Sequence, residues 1–182
     1  MACAAALSAQ TPASQPTAAG LEPAWDIAPV LQEMGDHATR LLPILDEIDV
    51  KSWIAKGASE TYAQQLQSSK DQAKAMANGA RSLSRNPEKL SASLELFFRI
   101  DGLETMLVSL EDGIRKYQGS QLAQQLAAAN AENGANRERF RAYIVNLAAE
   151  REQQFEVMDR EAQRCRSMPP PTVPPSHAAR KK

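Results

Sequence analysis

Apolar residues near the middle of the chain recur at steps of four and three positions in strict alternation. The run comprises Leu96, Ile100, Leu103, Leu107, Leu110, Ile114 and Tyr117. This spacing places every member on one side of an α-helix, and it is typical of coiled-coil-like packing between helices. We therefore predict a long amphipathic helix at the centre of a helical core.

Similar patterns predict two helices and a short turn before this central helix. The first helix runs from about Asp26 to Glu47, and the second begins near Ser59. Between them, a short helical turn that ends at Gly57 is expected to close one end of the core with Trp53 and Ile54. The inward positions of the second helix are rich in alanine, which indicates close approach to a neighbour.

The central helix is predicted to begin at Asn86-Pro87, because proline suits a first helical position and disfavours helix in the residue before it. Beside the heptad residues it carries a second apolar ridge, so we expect burial over a wide arc and the best-buried helix of the fold. The ridge consists of Leu90, Leu94, Phe97 and Phe98.

A fourth helix is predicted to start at Ser120, and its sequence leaves two alternatives open. The inward positions are Leu122, Leu126, Ala129, Phe140, Tyr143, Ile144, Leu147, Phe155 and Met158. Asn130, Asn133, Gly134 and Asn136 interrupt this pattern. One continuous helix with a polar patch is favoured over two helices, since one interior glycine costs only about 1 kcal/mol.

Four amphipathic helices with short connections predict an all-α fold, an up-down antiparallel four-helix bundle with a long C-terminal helix that projects beyond the others. A dimer of helical hairpins is the alternative. The composition agrees with a helical fold, because aromatic residues make up only 5% of the chain and valine and isoleucine are sparse.

The two ends of the chain differ from this helical region. Residues 10–23 read as a flexible leader, residues 24–166 as the bundle domain, and residues 167–182 as a disordered proline-rich tail with a basic end. Residues 1–9 resemble the end of a secretory signal peptide, with an A-x-A-like site at Leu7-Ser8-Ala9 but without a basic n-region. Export to the periplasm or medium is favoured, and an Ala-rich disordered tail on a cytoplasmic protein is the alternative.

Charge and hydropathy limit the classes of molecule that this chain is expected to bind. The formal net charge is −1, and the charged stretches mix both signs instead of forming a basic stripe, so nucleic-acid binding is not expected. No run of about 18 apolar residues occurs, so we expect no membrane span. A protein partner or a second copy of the chain remains.

Motifs for enzymatic chemistry are missing from the sequence. A di-metal bundle needs Glu-x-x-His on two helices, whereas His37 has Met34 three positions earlier and His177 lies in the tail. We therefore interpret His37 as part of a solvated face with Glu33, Asp36 and Arg40. Glycine-rich phosphate loops and Cys-x-x-Cys-His are absent too, and we expect no metal, no cofactor and no catalytic activity.

Cys165 and Asp101 are two further residues whose surroundings can be predicted from the sequence. Cys165 is interpreted as a small residue at a helix end, because no ordered histidine lies near it in the sequence to act as a base. Asp101 lies one turn beyond Phe97 and Phe98. If that ridge is buried, Asp101 is expected to need a partner such as an arginine of another helix.

Two functional hypotheses follow from this pattern. The first is a non-enzymatic, exported bundle that binds another protein or itself through the far half of the fourth helix, with Phe155, Val157, Met158 and Ala162 as the binding surface. The second is a bundle that binds a small molecule or metal in a polar core patch near Asn133 and Asn136.

Overall fold

The computed structural model describes residues 22–167, and this part of the chain is helical with no strand. The expected signal peptide remnant and most of the leader and tail lie outside the described residues. No helix between residues 22 and 167 combines the length and hydropathy needed to cross a membrane. The helices are α1 (Ala24–Asp46), α2 (Val50–Ala55), α3 (Thr61–Leu83), α4 (Leu90–Tyr117), α5 (Ser120–Glu132) and α6 (Gly134–Ser167).

The long helices form a ring of four antiparallel neighbours, which confirms the predicted bundle. In this ring α1 contacts α3, α3 contacts α4, and α5 with α6 fills the fourth corner against both α4 and α1. Polar contacts along the helix pairs show the opposite chain directions. These contacts are Asp36–Arg81 and Asp46–Lys70 between α1 and α3, and Asp101–Arg137 and Glu88–Arg151 along α4 and α6.

The heptad residues of α4 lie in the core as predicted. From Leu96 to Ile114 each of them is buried, and Tyr117 is half-buried. Burial of apolar side chains such as these contributes roughly 1.5–3 kcal/mol per large residue relative to exposure. The small residues predicted to allow close helix approach do so between α1 and α3, where a Cβ on Gly35 would lie 3.2 Å from the carbonyl oxygen of Ala77.

Trp53 closes one end of the core, as the sequence predicts. Its ring is fully buried, lies edge-on to Tyr62 at 5.5 Å between centroids, and stacks on Tyr117 at 5.9 Å. The Trp53 indole donates a hydrogen bond to Gln118 Oε1 at 3.1 Å. Gly57 ends the short turn with a φ of 92°, a conformation that favours glycine.

Helix α4 departs from its prediction in two respects. It begins at Leu90, because the chain turns at Pro87-Glu88 before the first helical residue. The expected wide apolar arc is also wrong: Phe97 is half-buried, but Phe98 is 67% exposed and Leu94 is exposed. With α3 on one side and α5 and α6 on the other, no described helix covers this outer face.

The predicted continuous fourth helix is wrong. The chain turns at Asn133, which separates α5 from α6. The two segments contact different helices. The carbonyl oxygen of Ala129 in α5 contacts His37 of α1, whereas Arg137 of α6 forms an ion pair with Asp101 of α4. Asn133 itself is buried and keeps right-handed helical dihedrals (φ −82°, ψ −6°), so the interruption is one residue long.

Substitution of Gly113 tests the tightness of the capped end. A Cβ at Gly113 would lie 2.7 Å from Trp53 Cζ3, so we expect Gly113→Ala to lower the free energy of unfolding by about 1–3 kcal/mol. Gly102 is the matched control in the same helix, where an added Cβ meets nothing within 4 Å. Gly102→Ala should raise stability by up to about 1 kcal/mol in urea denaturation. Equal effects of the two substitutions would contradict this packing.

Candidate functional site

The C-terminal part of α6 extends beyond the rest of the bundle. Arg151 is the last residue of this helix with a half-buried side chain, and its guanidinium lies 3.5 Å from Glu88 Oε2, in the connection before α4. Every residue from 152 to 167 is exposed. We call residues 152–167 the overhang. At about 1.5 Å per residue it is roughly 24 Å long.

Two large apolar side chains stand on the overhang. Phe155 is 72% exposed and Met158 is 68% exposed, and Val157 is 45% exposed. Ala162 is exposed as well. All four residues of the predicted partner-binding surface are therefore accessible among the described residues, and their binding role stays a prediction.

The additional prediction that Phe155 and Met158 face the core is wrong. Both positions continue the helical periodicity of Ile144 and Leu147, which are buried. However, the neighbouring helices end before this level, so the same face of α6 passes from the core into solvent. The sequence pattern correctly identified which face of α6 is apolar. It did not predict how far along α6 the neighbouring helices cover that face.

An open groove lies at the base of the overhang. It has a volume of about 400 Å³ and runs between the first turn of α4 and α6. Apolar surface in the groove comes from Leu90, Ala148 and Phe155, and its charged rim comes from Arg151, Glu152 and Glu156. The apolar strip on the overhang therefore continues onto the bundle itself.

A second candidate site is a group of polar residues beside the bend at Asn133. We call it the junction cluster, and it consists of His37, Asp101, Glu104, Asn133 and Arg137. The interpretation of His37 as solvated is wrong: the side chain is 4% exposed, and Nε2 lies 2.6 Å from the carbonyl oxygen of Ala129. Helix α5 packs over this face of α1 and removes the imidazole from solvent.

Arg137 connects α6 to two carboxylates of α4. Its guanidinium pairs with Asp101 Oδ1 at 3.2 Å and also donates to Glu104 Oε2. The arginine of another helix that Asp101 was expected to need is thus Arg137, although Asp101 is exposed. Burial raises the pKa of Glu104, while the charge of Arg137 acts in the opposite direction.

The cavity in the junction cluster is small. It has a volume of about 10 Å³ and is bounded by apolar side chains together with His37, Glu104, Asn130 and Asn133. Within the described residues, His37 Nδ1 and Asn133 Oδ1 are buried and have no hydrogen-bond partner. A polar cavity of this size matches one water molecule.

The ligand-binding prediction for Asn133 and Asn136 stays untested. Only Asn133 borders the cavity, since Asn136 is half-buried and lies outside its lining. A volume of one water favours a structural role over binding of an organic molecule. Between residues 22 and 167, no group of three or more His, Cys, Asp and Glu residues is placed to hold a metal ion, and Cys165 is exposed on the overhang.

Comparisons with other proteins leave the function to be argued from this geometry. No protein-family model, no curated protein and no solved structure matches the chain. The overhang and the junction cluster differ in how accessible their surfaces are. The overhang offers accessible apolar surface, whereas the junction cluster is closed.

Removal of Arg137 tests the importance of the junction cluster for stability. Arg137→Met leaves the half-buried Glu104 carboxylate without its cationic partner, and we expect a loss of about 1–3 kcal/mol in the free energy of unfolding. Arg141→Met is the matched control on the same helix, because the Arg141–Glu138 pair is exposed. It should cost less than about 1 kcal/mol. Urea denaturation of both variants measures the two losses in the free energy of unfolding. Equal losses would show that the junction cluster stabilises the fold no more than an exposed ion pair does.

The raised pKa of Glu104 predicts a pH dependence with a definite sign. The folded state favours the protonated carboxyl, so the stability it contributes is fully present below its ordinary pKa of 4.5 and is lost as the pH rises through the raised value. Glutamine does not ionise. The stability of the wild type relative to Glu104→Gln should therefore fall as the pH rises above 4.5. A relative gain over the same range would show that pairing with Arg137 outweighs burial.

Proposed function

We propose that this protein is a non-enzymatic helical bundle that acts by binding a protein surface through the overhang. The observation that carries the proposal is the exposure of Phe155 and Met158 on a helix that has left its own bundle. Surface residues of this size on the same helix face are typical of an interaction site. The surface comprises Phe155, Met158 and Ala162. Val157 points about 160° away from Phe155 on the helix and lies outside this face.

The energetics of the overhang support a bound state. An isolated helix of about 12–15 residues is marginal in water, because nucleation is costly and most helical stability comes from packing. Within the overhang, the contacts are local, such as Gln163 to Asp159 at 2.8 Å, and such pairs contribute only a few tenths of a kcal/mol each. A partner that covers the apolar face would supply the missing burial, at about 1.5–3 kcal/mol per large side chain.

The mode of binding that fits this surface is helix to helix. An amphipathic helix offers its apolar face to a groove or to another helix through residues spaced three and four apart. Phe155, Met158 and Ala162 have this spacing. The groove between Leu90 and Phe155 extends the surface toward the bundle.

Charge substitutions on the overhang test this proposal. Phe155→Glu combined with Met158→Glu should abolish binding while the free energy of unfolding changes by less than about 0.5 kcal/mol, because both side chains are already exposed. Phe98→Glu is the matched control, since Phe98 is similarly exposed but lies on α4. Binding is measured with a photoreactive phenylalanine at position 162, which is not substituted in the double variant and labels whatever covers the overhang in the source cells.

Two results would overturn the proposal. A large loss of stability in the double variant would place Phe155 and Met158 in the core. A photoreactive residue at position 162 that labels neither this chain nor any other protein would show that nothing covers the overhang. Retained labelling in the Phe98→Glu variant and loss after Met158→Glu are the expected outcomes.

A further inference from the structure

We infer that the junction cluster is the binding site of one ordered water molecule, which donates its two hydrogen bonds to His37 Nδ1 and Asn133 Oδ1. The site lies in the interior of the bundle and is independent of the overhang. Three properties support it, which are the burial of these two side chains, their missing partners and the volume of the cavity that both of them border.

The contact of His37 with α5 fixes which ring nitrogen carries a hydrogen. Nε2 lies 2.6 Å from the carbonyl oxygen of Ala129, and a carbonyl oxygen only accepts, so Nε2 must donate. Ala129 is one of the last four residues of α5, whose carbonyl oxygens have no helical N–H to bind, and the N–H of Asn133 points to the carbonyl oxygen of Ala131 instead. In the neutral ring, Nδ1 then carries a lone pair and needs a donor.

Two buried acceptors are therefore left without a donor at one place. His37 is 4% exposed and Asn133 is 3% exposed, and neither His37 Nδ1 nor Asn133 Oδ1 has a hydrogen-bond partner among residues 22–167. Both residues border the same cavity. Two lone pairs cannot bind each other, and a buried acceptor without a donor destabilises a fold, so folded proteins almost always supply a protein group or a water as the partner.

A water molecule matches this site in number of donors and in size. It has two O–H groups for the two acceptors, and the cavity volume of about 10 Å³ accommodates one water. Glu104 and Asn130 complete the polar part of the wall, where a buried water can form the third hydrogen bond that such waters typically make. The rest of the wall is apolar and includes Leu41 of α1.

A water at this place joins α1 to the bend between α5 and α6. His37 belongs to α1, and Asn133 is the single residue between α5 and α6. The carbonyl oxygen of Asn133 also accepts a hydrogen bond from the N–H of Arg137 at 2.9 Å, in the first turn of α6. The water therefore holds the residue from which α6 starts, and it helps to set the direction in which α6 runs along the bundle.

Nuclear magnetic resonance of the full chain tests the site directly. In a His177→Ala background, His37 is the only histidine. At neutral pH we expect a hydrogen on Nε2 and none on Nδ1, together with a nuclear Overhauser effect between a long-lived water and the ring proton that lies between the two nitrogens. Hydrogens on both ring nitrogens, or the absence of a bound-water signal, would overturn the inference.

Substitution of Asn133 distinguishes a bridging water from an empty cavity. Asn133→Leu removes one acceptor at nearly the same side-chain shape, and Asn136→Leu is the matched control, because Asn136 lies outside the cavity lining. With the water in place, we expect a lower midpoint of urea denaturation for Asn133→Leu than for Asn136→Leu, and loss of the water signal at His37 only in Asn133→Leu. If the cavity were empty, Asn133→Leu would remove an unsatisfied acceptor and its midpoint would be the higher one.

Ammonium is a second donor-bearing species of similar size, and the Glu104 carboxyl at the cavity wall makes it the relevant alternative ligand. A ligand that binds only the folded state raises its stability with concentration. We expect the same denaturation midpoint for the wild type in equal concentrations of sodium chloride and ammonium chloride. A higher midpoint in ammonium chloride that disappears in Asn133→Leu would assign the site to a cation and overturn water as its ligand.

Discussion

The burial of the α4 heptad seam is the constraint on which the rest of the structure depends. Leu96 to Ile114 face inward, and α1, α3 and the pair α5 and α6 surround them. This core has two ends. Trp53 and Gln118 close one of them, and the other lies at the first turn of α4, where Arg151 reaches Glu88. Helix α6 continues past that second end, so no described helix packs on the last part of its apolar face.

The overhang and the junction cluster show two different uses of polar and apolar groups on one helix. Near its start, α6 places Arg137 between Asp101 and Glu104 and fixes the bend at Asn133. Near its end it exposes Phe155 and Met158, with acidic residues before basic ones. The first arrangement joins α6 to α4, and the second leaves large apolar side chains in contact with solvent. For this reason our proposal places an interaction surface on the far part of α6.

The sequence predicted the helices and their inward faces well, because periodicity reports which positions share a side. It missed His37, although this residue lies three positions after Met34 and four before Leu41, both of which are buried. A polar residue was taken as solvated in spite of that spacing. The bend at Asn133 depends on contacts with α1 and α4, which local propensity does not contain. The exposure of Phe155 depends on where the other helices end, and the pattern of one helix does not give the length of its neighbours.

Hydrogen–deuterium exchange along α6 of the purified monomer tests most directly the central claim that the overhang lies outside its own bundle. Exchange protection reports local opening of each helical turn. We expect the amides of residues 155–165 to exchange much faster than those of residues 140–147, because only the latter part of the helix is packed in the core. Protection of the overhang that persists in the monomer would mean that it packs on its own bundle.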